Sequence, residues 1–212
     1  TNYDANHEVP QHLFQWVGFD NFIDLFSSQS KLGATFWRVL LWTLIWAVLA
    51  TFTNYFGGMI LAMFINKKGI KLKKLYRTLF VATIAVPQFV SLLIMSKMLD
   101  NDGILGSMFQ DIFGSKLNFG VEVNATRVCI VLVNMWIGVP YSMLMCSGIL
   151  MNIPAELYES ARIDGASNVR RFFKITLPYM LFVTGPYLIT QFIGNINNFN
   201  VIFLLSGGGP GD

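Results

Sequence analysis

An all-α, polytopic membrane protein follows from three properties of this sequence: too few charges to cover a soluble surface, apolar runs long enough to cross a bilayer, and basic connections that alternate with acidic ones. Apolar residues make up 54% of the chain and charged residues 13%, whereas soluble domains carry about 25% charged residues. Four segments, 36–65, 76–99, 127–151 and 175–205, reach the roughly 20 residues that a helical crossing needs. The first and last exceed that minimum and must tilt, kink or protrude. Residues 1–35 are polar, and the apolar run that follows is too long for the h-region of a signal peptide.

The net charge of +3 matters less than its distribution. Connection 66–77 carries Lys67, Lys68, Lys71, Lys73, Lys74 and Arg77 with no acid, and connection 152–174 carries Arg162, Arg170, Arg171 and Lys174 beside its acids. Residues 1–35 hold Asp4, Glu8, Asp20 and Asp24 against Lys31, and the loop after Leu99 holds Asp100, Asp102, Asp111 and Glu122. Short basic loops stay in the cytoplasm. Both basic connections are therefore expected inside and both ends of the chain outside. A lysine cluster also fits nucleic acid, but a run beside a spanning helix is explained by topology, and no nucleic-acid partner is expected. Cys129 and Cys146 lie on one predicted helix about 25 Å apart at 1.5 Å per residue, beyond disulfide reach, and are read as packing residues. His7 and His12 stand in a polar segment, and no Cys/His spacing suits a metal.

Along the first span, Ala47, Thr51, Asn54, Gly58 and Ala62 gather small residues on one face. Such faces let membrane helices approach closely, so this stripe is read as a packing seam. The second span carries Pro87 and Gln88, with Ile84, Ser91 and Met95 on the same face. The third places Asn134, Gly138, Tyr141 and Met145 in one narrow stripe, and Pro140 is expected to kink it. The fourth sets Gln191, Asn195 and Asn198 on one face, Asn197 and Asn200 elsewhere, with Pro186 and Gly194 able to bend or loosen it.

Arg38, Arg77, Lys97 and Arg127 fall near span ends, where long side chains snorkel to the interface. No span has an Asp, Glu, Lys, Arg or His near its middle, which disfavours a proton relay or a voltage sensor. A G-x-x-x-x-G-K-[ST] phosphate loop is absent, since the run Gly207-Gly208-Gly209-Pro210 lacks the lysine. Gln88, Asn134, Tyr141, Asn195 and Asn198 offer amides and a phenol without net charge. Amides donate and accept at once to adjacent hydroxyls, which suits a neutral polyol. Taken singly, each is better explained as interhelical glue worth about 0.6 kcal/mol. Together, on three helices at similar depth, they point to a solute path.

The stretch Glu159 to Pro178 has a second kind of pattern. Glu159, Ala161, Gly165, Ile175, Leu177 and Pro178 fall in register with E-A-A-x3-G-x9-I-x-L-P, with Ser160 replacing the second-position alanine. The chain thereby resembles the permeases of binding-protein-dependent ABC importers, whose cytoplasmic "EAA" loop is gripped by a separate ATPase subunit. The runs Val133 to Tyr141, Ile153-Pro154, Leu157-Tyr158-Glu159, Phe172 to Pro178, Asn197-Asn198-Phe199 and Gly208-Gly209-Pro210 are similar to the larger, MalF-type permease of maltose/maltodextrin importers. Val17 to Phe22 resembles the external segment that precedes the core helices of sugar permeases.

The resemblance implies a type I importer permease core with about four transmembrane helices in this chain, in a bacterial inner or plasma membrane. Its parts would be an extracytoplasmic segment 1–35, a transmembrane permease domain 36–205 with the coupling loop 154–178, and an external Gly-rich turn 206–212. It implies a sugar held mid-membrane by Gln88, Asn134, Gly138, Tyr141, Asn195 and Asn198. Ile84 and Gln88 depart from the aromatic and small hydroxyl groups of the best-known members. It also implies ATPase coupling through Glu159, Ala161, Asp164 and Gly165. The acid of Glu159 is expected to favour the helix start, and Gly165 to permit a tight turn.

The implied partners are a second homologous permease, two ATPase subunits, an extracytoplasmic sugar-binding protein and an oligosaccharide. ATP and Mg would sit on the ATPases, this chain holding no cofactor and being no enzyme. Family members have spanning helices before and after this stretch, so the chain is expected to be a core within a longer subunit. The alternatives are a permease for another neutral sugar or a glycerol-phosphate-type solute, a secondary carrier or channel, and a membrane scaffold. A carrier would show charge pairs or an inverted repeat, and a scaffold would leave the amide faces without a purpose.

Overall fold

A computed structural model describes residues 18–27, 29–67 and 69–208, which are helices, turns and bends with no strand among them. Asp4, His7, Glu8, His12, Val17, Lys68, Gly209 and Pro210 lie outside the described residues. The chain divides into two units, residues 1–45 and 46–212. In the first, α1 (Asp20–Phe26) precedes α2 (Lys31–Asn66). Ser30 starts α2 by accepting the Gly33 N–H on its Oγ at 2.9 Å. That cap places the helix start at Lys31, more than a turn before the apolar run at 36, because hydropathy does not register a polar first turn. Phe26 and Phe36 pack edge to face at 5.6 Å, and the Trp37 indole donates to the Phe26 carbonyl at 3.2 Å.

The second unit takes in the rest of α2 and then α3 (Lys73–Ile84), α4 (Gln88–Leu99), α5 (Ile104–Phe113), α6 (Val123–Leu150), α7 (Ala155–Ile163) and α8 (Asn168–Arg171). A π-turn (Phe172–Thr176), α9 (Leu177–Ile196) and α10 (Phe199–Ser206) complete it. Lys31–Asn66, Val123–Leu150 and Asn168–Ile196 are each long and apolar enough to cross a membrane, and the broken stretch from Lys73 makes a fourth crossing if counted as one span.

Two expected spans are not continuous helices. The span at 76–99 breaks at Ala85–Pro87, where α3 and the stretch Gln88–Phe113 meet at 86°. Pro87 sits at φ −57°, ψ 132° as the N-cap of α4; it lacks an N–H and disfavours the helical region for Val86 before it. The span at 175–205 breaks at Asn197–Asn198, where the Asn198 side chain accepts the Val201 N–H at 3.2 Å and starts α10. By contrast α6 runs through Pro140 and α9 through Pro186 as single helices.

The small-residue stripe of α2 is a seam. Ala47, Thr51, Gly58 and Ala62 are buried, and a Cβ added to Gly58 would fall 2.5 Å from the Ser142 Cβ and 2.6 Å from the Met143 backbone nitrogen. Backbone thus meets backbone across α2 and α6, the approach that small residues permit in membranes. Below it, Tyr55, Met59, Met143, Cys146 and Met180 form a buried cluster. The Thr184 and Tyr55 hydroxyls lie 2.8 Å apart within it. Arg77 on α3 reaches Asn66 and, at 2.9 Å, Ser147, tying the ends of α2, α3 and α6. The Ser96 hydroxyl donates to the Leu205 carbonyl at 2.7 Å, joining α4 to α10. Both cysteines are free and buried. Phe52, Ile60, Leu132, Phe182 and Ile189 point outward, an apolar exterior of the kind a bilayer covers.

Candidate functional site

Where α3 breaks into α4, a cavity of about 380 Å³ opens towards α2, α6 and α9. That size is within the roughly 300–1,000 Å³ of ligand pockets. Its walls come from Thr51 and Asn54 on α2, Thr83 and Ile84 on α3, Pro87, Gln88 and Ser91 at the break and on α4, Gly138, Tyr141 and Ser142 on α6, and Tyr187 and Gln191 on α9. No lining residue is Asp, Glu, Lys, Arg or His. Tyr141 and Tyr187 stack with ring centroids 6.4 Å apart and planes 28° apart, giving one wall an aromatic face. Gly138 leaves room for the Asn54 amide: a Cβ there would fall 2.3 Å from Asn54 Nδ2. Among the described residues no group of three His, Cys, Asp or Glu is placed to hold a metal.

Three of the six expected solute-binding positions, Gln88, Gly138 and Tyr141, line this cavity. Asn134, Asn195 and Asn198 are not among its lining residues. Asn134 is buried with its Nδ2 unpartnered. Asn195 is buried and donates from Nδ2 to Thr51 Oγ1 at 3.0 Å, so it orients a residue that does line the cavity. Asn198 caps α10. The wall residues outside the expected set include the polar Thr51, Asn54, Thr83, Ser91, Ser142, Tyr187 and Gln191. The polarity of Thr51 and Asn54 within an otherwise small and apolar stripe is the sequence feature that marks them.

Loop 154–178 is a different structure. Helix α7 ends in a Schellman motif: the Ala166 N–H donates to the Ala161 carbonyl at 2.8 Å and the Gly165 N–H to the Arg162 carbonyl at 3.1 Å. Gly165 lies at φ +72°, a left-handed conformation that a side chain resists. Asp164 is the C-cap residue and is exposed. The acid in the first turn of α7 is Glu156. Glu159 lies beyond that turn and does not act on the helix start as expected, because Pro154 begins the helix further upstream than the motif's first residue. Ser167 caps α8 by accepting the Arg170 N–H at 3.2 Å, and the Tyr158 and Thr176 hydroxyls are 2.8 Å apart, tying α7 to the π-turn. Ile163, 86% exposed, and Val169 and Phe173 present apolar side chains at the surface, the Phe173 ring meeting Phe172 edge to face at 5.0 Å.

Residues 54–211 match the family described as the binding-protein-dependent transport system inner membrane component. The maltodextrin transport system permease protein MdxF of Bacillus subtilis is 40% identical over 100% of this chain and 50% of its own length. The galactooligosaccharides transport system permease protein GanP of the same organism is 39% identical over 99% and 50%. The maltose/maltodextrin transport system permease protein MalF of Escherichia coli is 34% identical over 92% and 38%. The chain spans about half the length of the first of these relatives. A solved bacterial ABC transporter involved in import of the acidic polysaccharide alginate has the same fold, with a TM-score of 0.74 and 24% identity over 90% of this chain and 66% of that one.

Proposed function

The chain belongs to the family of binding-protein-dependent transport system inner membrane components, and from that membership we propose that it is the core of a permease subunit importing neutral oligosaccharides of the maltodextrin kind. The observation that carries this reading is the uncharged cavity, walled by Gln88, Tyr141, Tyr187 and Gln191 around the helix break. Amides match the paired hydroxyls of a sugar, and the tyrosine pair offers a flat surface to the apolar face of a pyranose. An anionic solute would find no cation among these residues. Asn134, Asn195 and Asn198 belong to the same path in this proposal, Asn195 acting through Thr51.

The membrane helices alternate access to the cavity, and energy arrives through loop 154–178. Two separate ATPase subunits, holding ATP and Mg, grip the surface around Ile163 and Gly165. A second permease subunit completes the path, and an extracytoplasmic binding protein delivers sugar to the side on which both ends of this chain lie. No step of ATP hydrolysis is assigned to this chain. The test is ATPase stimulation of the reconstituted assembly by binding protein loaded with maltose, maltotriose, a galacto-oligosaccharide or an alginate oligosaccharide. Stimulation by the neutral sugars is expected; stimulation by alginate alone would overturn the substrate class.

A further inference from the structure

We propose that Asn54 on α2 is a solute-binding residue of the cavity, in addition to its place in the α2–α6 seam. This rests on the oligosaccharide reading and adds to it a contact from a helix that the sequence assigns to packing alone. Asn54 lines the cavity one turn after Thr51 and directly opposite Gly138. The position that a side chain at 138 would take is filled by the Asn54 carboxamide, whose Nδ2, Cγ and Oδ1 lie 2.3, 2.6 and 2.9 Å from it. Gly138 therefore has a defined task in the wall: it admits an amide from the facing helix.

That amide is not spent on holding helices together. Asn195 donates to Thr51 at 3.0 Å and Asn66 to Ser147 at 2.7 Å, as interhelical glue does. The Oδ1 of Asn54 is buried with no partner among the described residues. An acceptor left unpaired away from water costs free energy, and the cost disappears when a donor arrives. Asn134 Nδ2 and Trp46 Nε1 are also buried and unpartnered, but neither residue lines the cavity. Among the described residues, Asn54 alone combines a buried, unpartnered side-chain polar atom with a place in the wall. Adjacent sugar hydroxyls supply a donor and an acceptor together, the complement of one carboxamide. The terminal amide torsion is broad, so the group can turn its oxygen from α6 towards an incoming hydroxyl.

The experiment uses the assembled transporter with its full-length subunit, reconstituted with its binding protein, and maltotriose as probe. Asn54→Ala and Asn54→Leu should each lower uptake at limiting sugar about tenfold, with normal assembly and an unchanged melting temperature, and Asn54→Ser should recover part of the loss. Gly138→Ala should reproduce the defect by displacing the amide, and should add little in the Asn54→Ala background. Wild-type uptake by both Asn54→Ala and Asn54→Leu would overturn the proposal. So would failure of both Asn54→Ala and Asn54→Ser to assemble, which would assign the residue to packing. A wild-type assembly that moves neither maltotriose nor a galacto-oligosaccharide would show that the oligosaccharide reading itself fails, and the proposal with it.

Discussion

The cavity wall and loop 154–178 differ in where their hydrogen bonds close: the loop's turn and cap bonds are local, whereas the wall's polar groups come from different helices. In the loop, the turn and cap groups satisfy one another: the Ala161 and Arg162 carbonyls take the cap N–H groups, Ser167 caps α8, and Tyr158 meets Thr176, while Arg171 Nε is buried without a partner among the described residues. In the wall, Asn54 Oδ1 is left without a partner, and Gln88 and Tyr141 stay exposed. In the proposed importer the loop is gripped by another subunit and has to hold its shape before contact, a task that local turn and cap bonds serve. In the same proposal the wall receives a solute and keeps valences open, at the cost of unpaired groups until it is occupied.

The largest effect is expected from the loop. Gly165→Leu forces a side chain into the left-handed region at roughly 1–2 kcal/mol and disturbs both cap bonds. Uptake of every sugar should fall tenfold or more and ATPase retention should weaken, while membrane levels stay normal. Unchanged uptake at normal levels would remove the loop from energy transfer. A cavity variant should act unevenly: Tyr141→Ala should cost about 1–3 kcal/mol of transport efficiency, to different extents for maltose, maltotriose and a galacto-oligosaccharide. An equal loss on all three would place Tyr141 on the loop's side of the comparison. The smallest effect belongs to neither region. Thr184→Val removes the 2.8 Å contact with Tyr55 and should destabilise the subunit by about 0.6 kcal/mol with sugar preference intact, measured as a double-mutant cycle with Tyr55→Phe.

What the sequence made legible depends on whether the physics is local. The α2 seam could be read from Ala47, Gly58 and Ala62, because small residues at helical spacing have one main use in a membrane. The turn at Gly165 could be read because the cap lies within a few residues of its partners. The two helix breaks could not be read from hydropathy, since Val86 and Phe199 are as apolar as a continuous span requires; Pro87 and Asn198 act through backbone geometry. Helix α5 was hidden for the converse reason: Asp102 and Asp111 make the segment look like a plain loop, although Ile104, Met108 and Ile112 form an exposed apolar stripe. Asn54 was legible as a seam residue and not as a wall residue, because its second role depends on Gly138 of another helix.

The π-turn at Phe172–Thr176 has a consequence best stated as angular phase. One residue of an α-helix is worth about 100° of rotation, and an i→i+5 turn accommodates one more residue than an α-turn does. The direction in which α9 presents Tyr187 and Gln191 is therefore offset by about 100° from the direction a plain α-helix continuing from Arg171 would give. Deleting a single residue of this turn and closing it to α-helix would cancel that offset and keep Tyr187 and Gln191 on the cavity side. Closing the turn to α-helix with every residue retained would instead rotate both by about 100°. The azimuth of the wall relative to the loop is thus set by one residue's worth of backbone, at a point where neither sugar nor ATPase need touch.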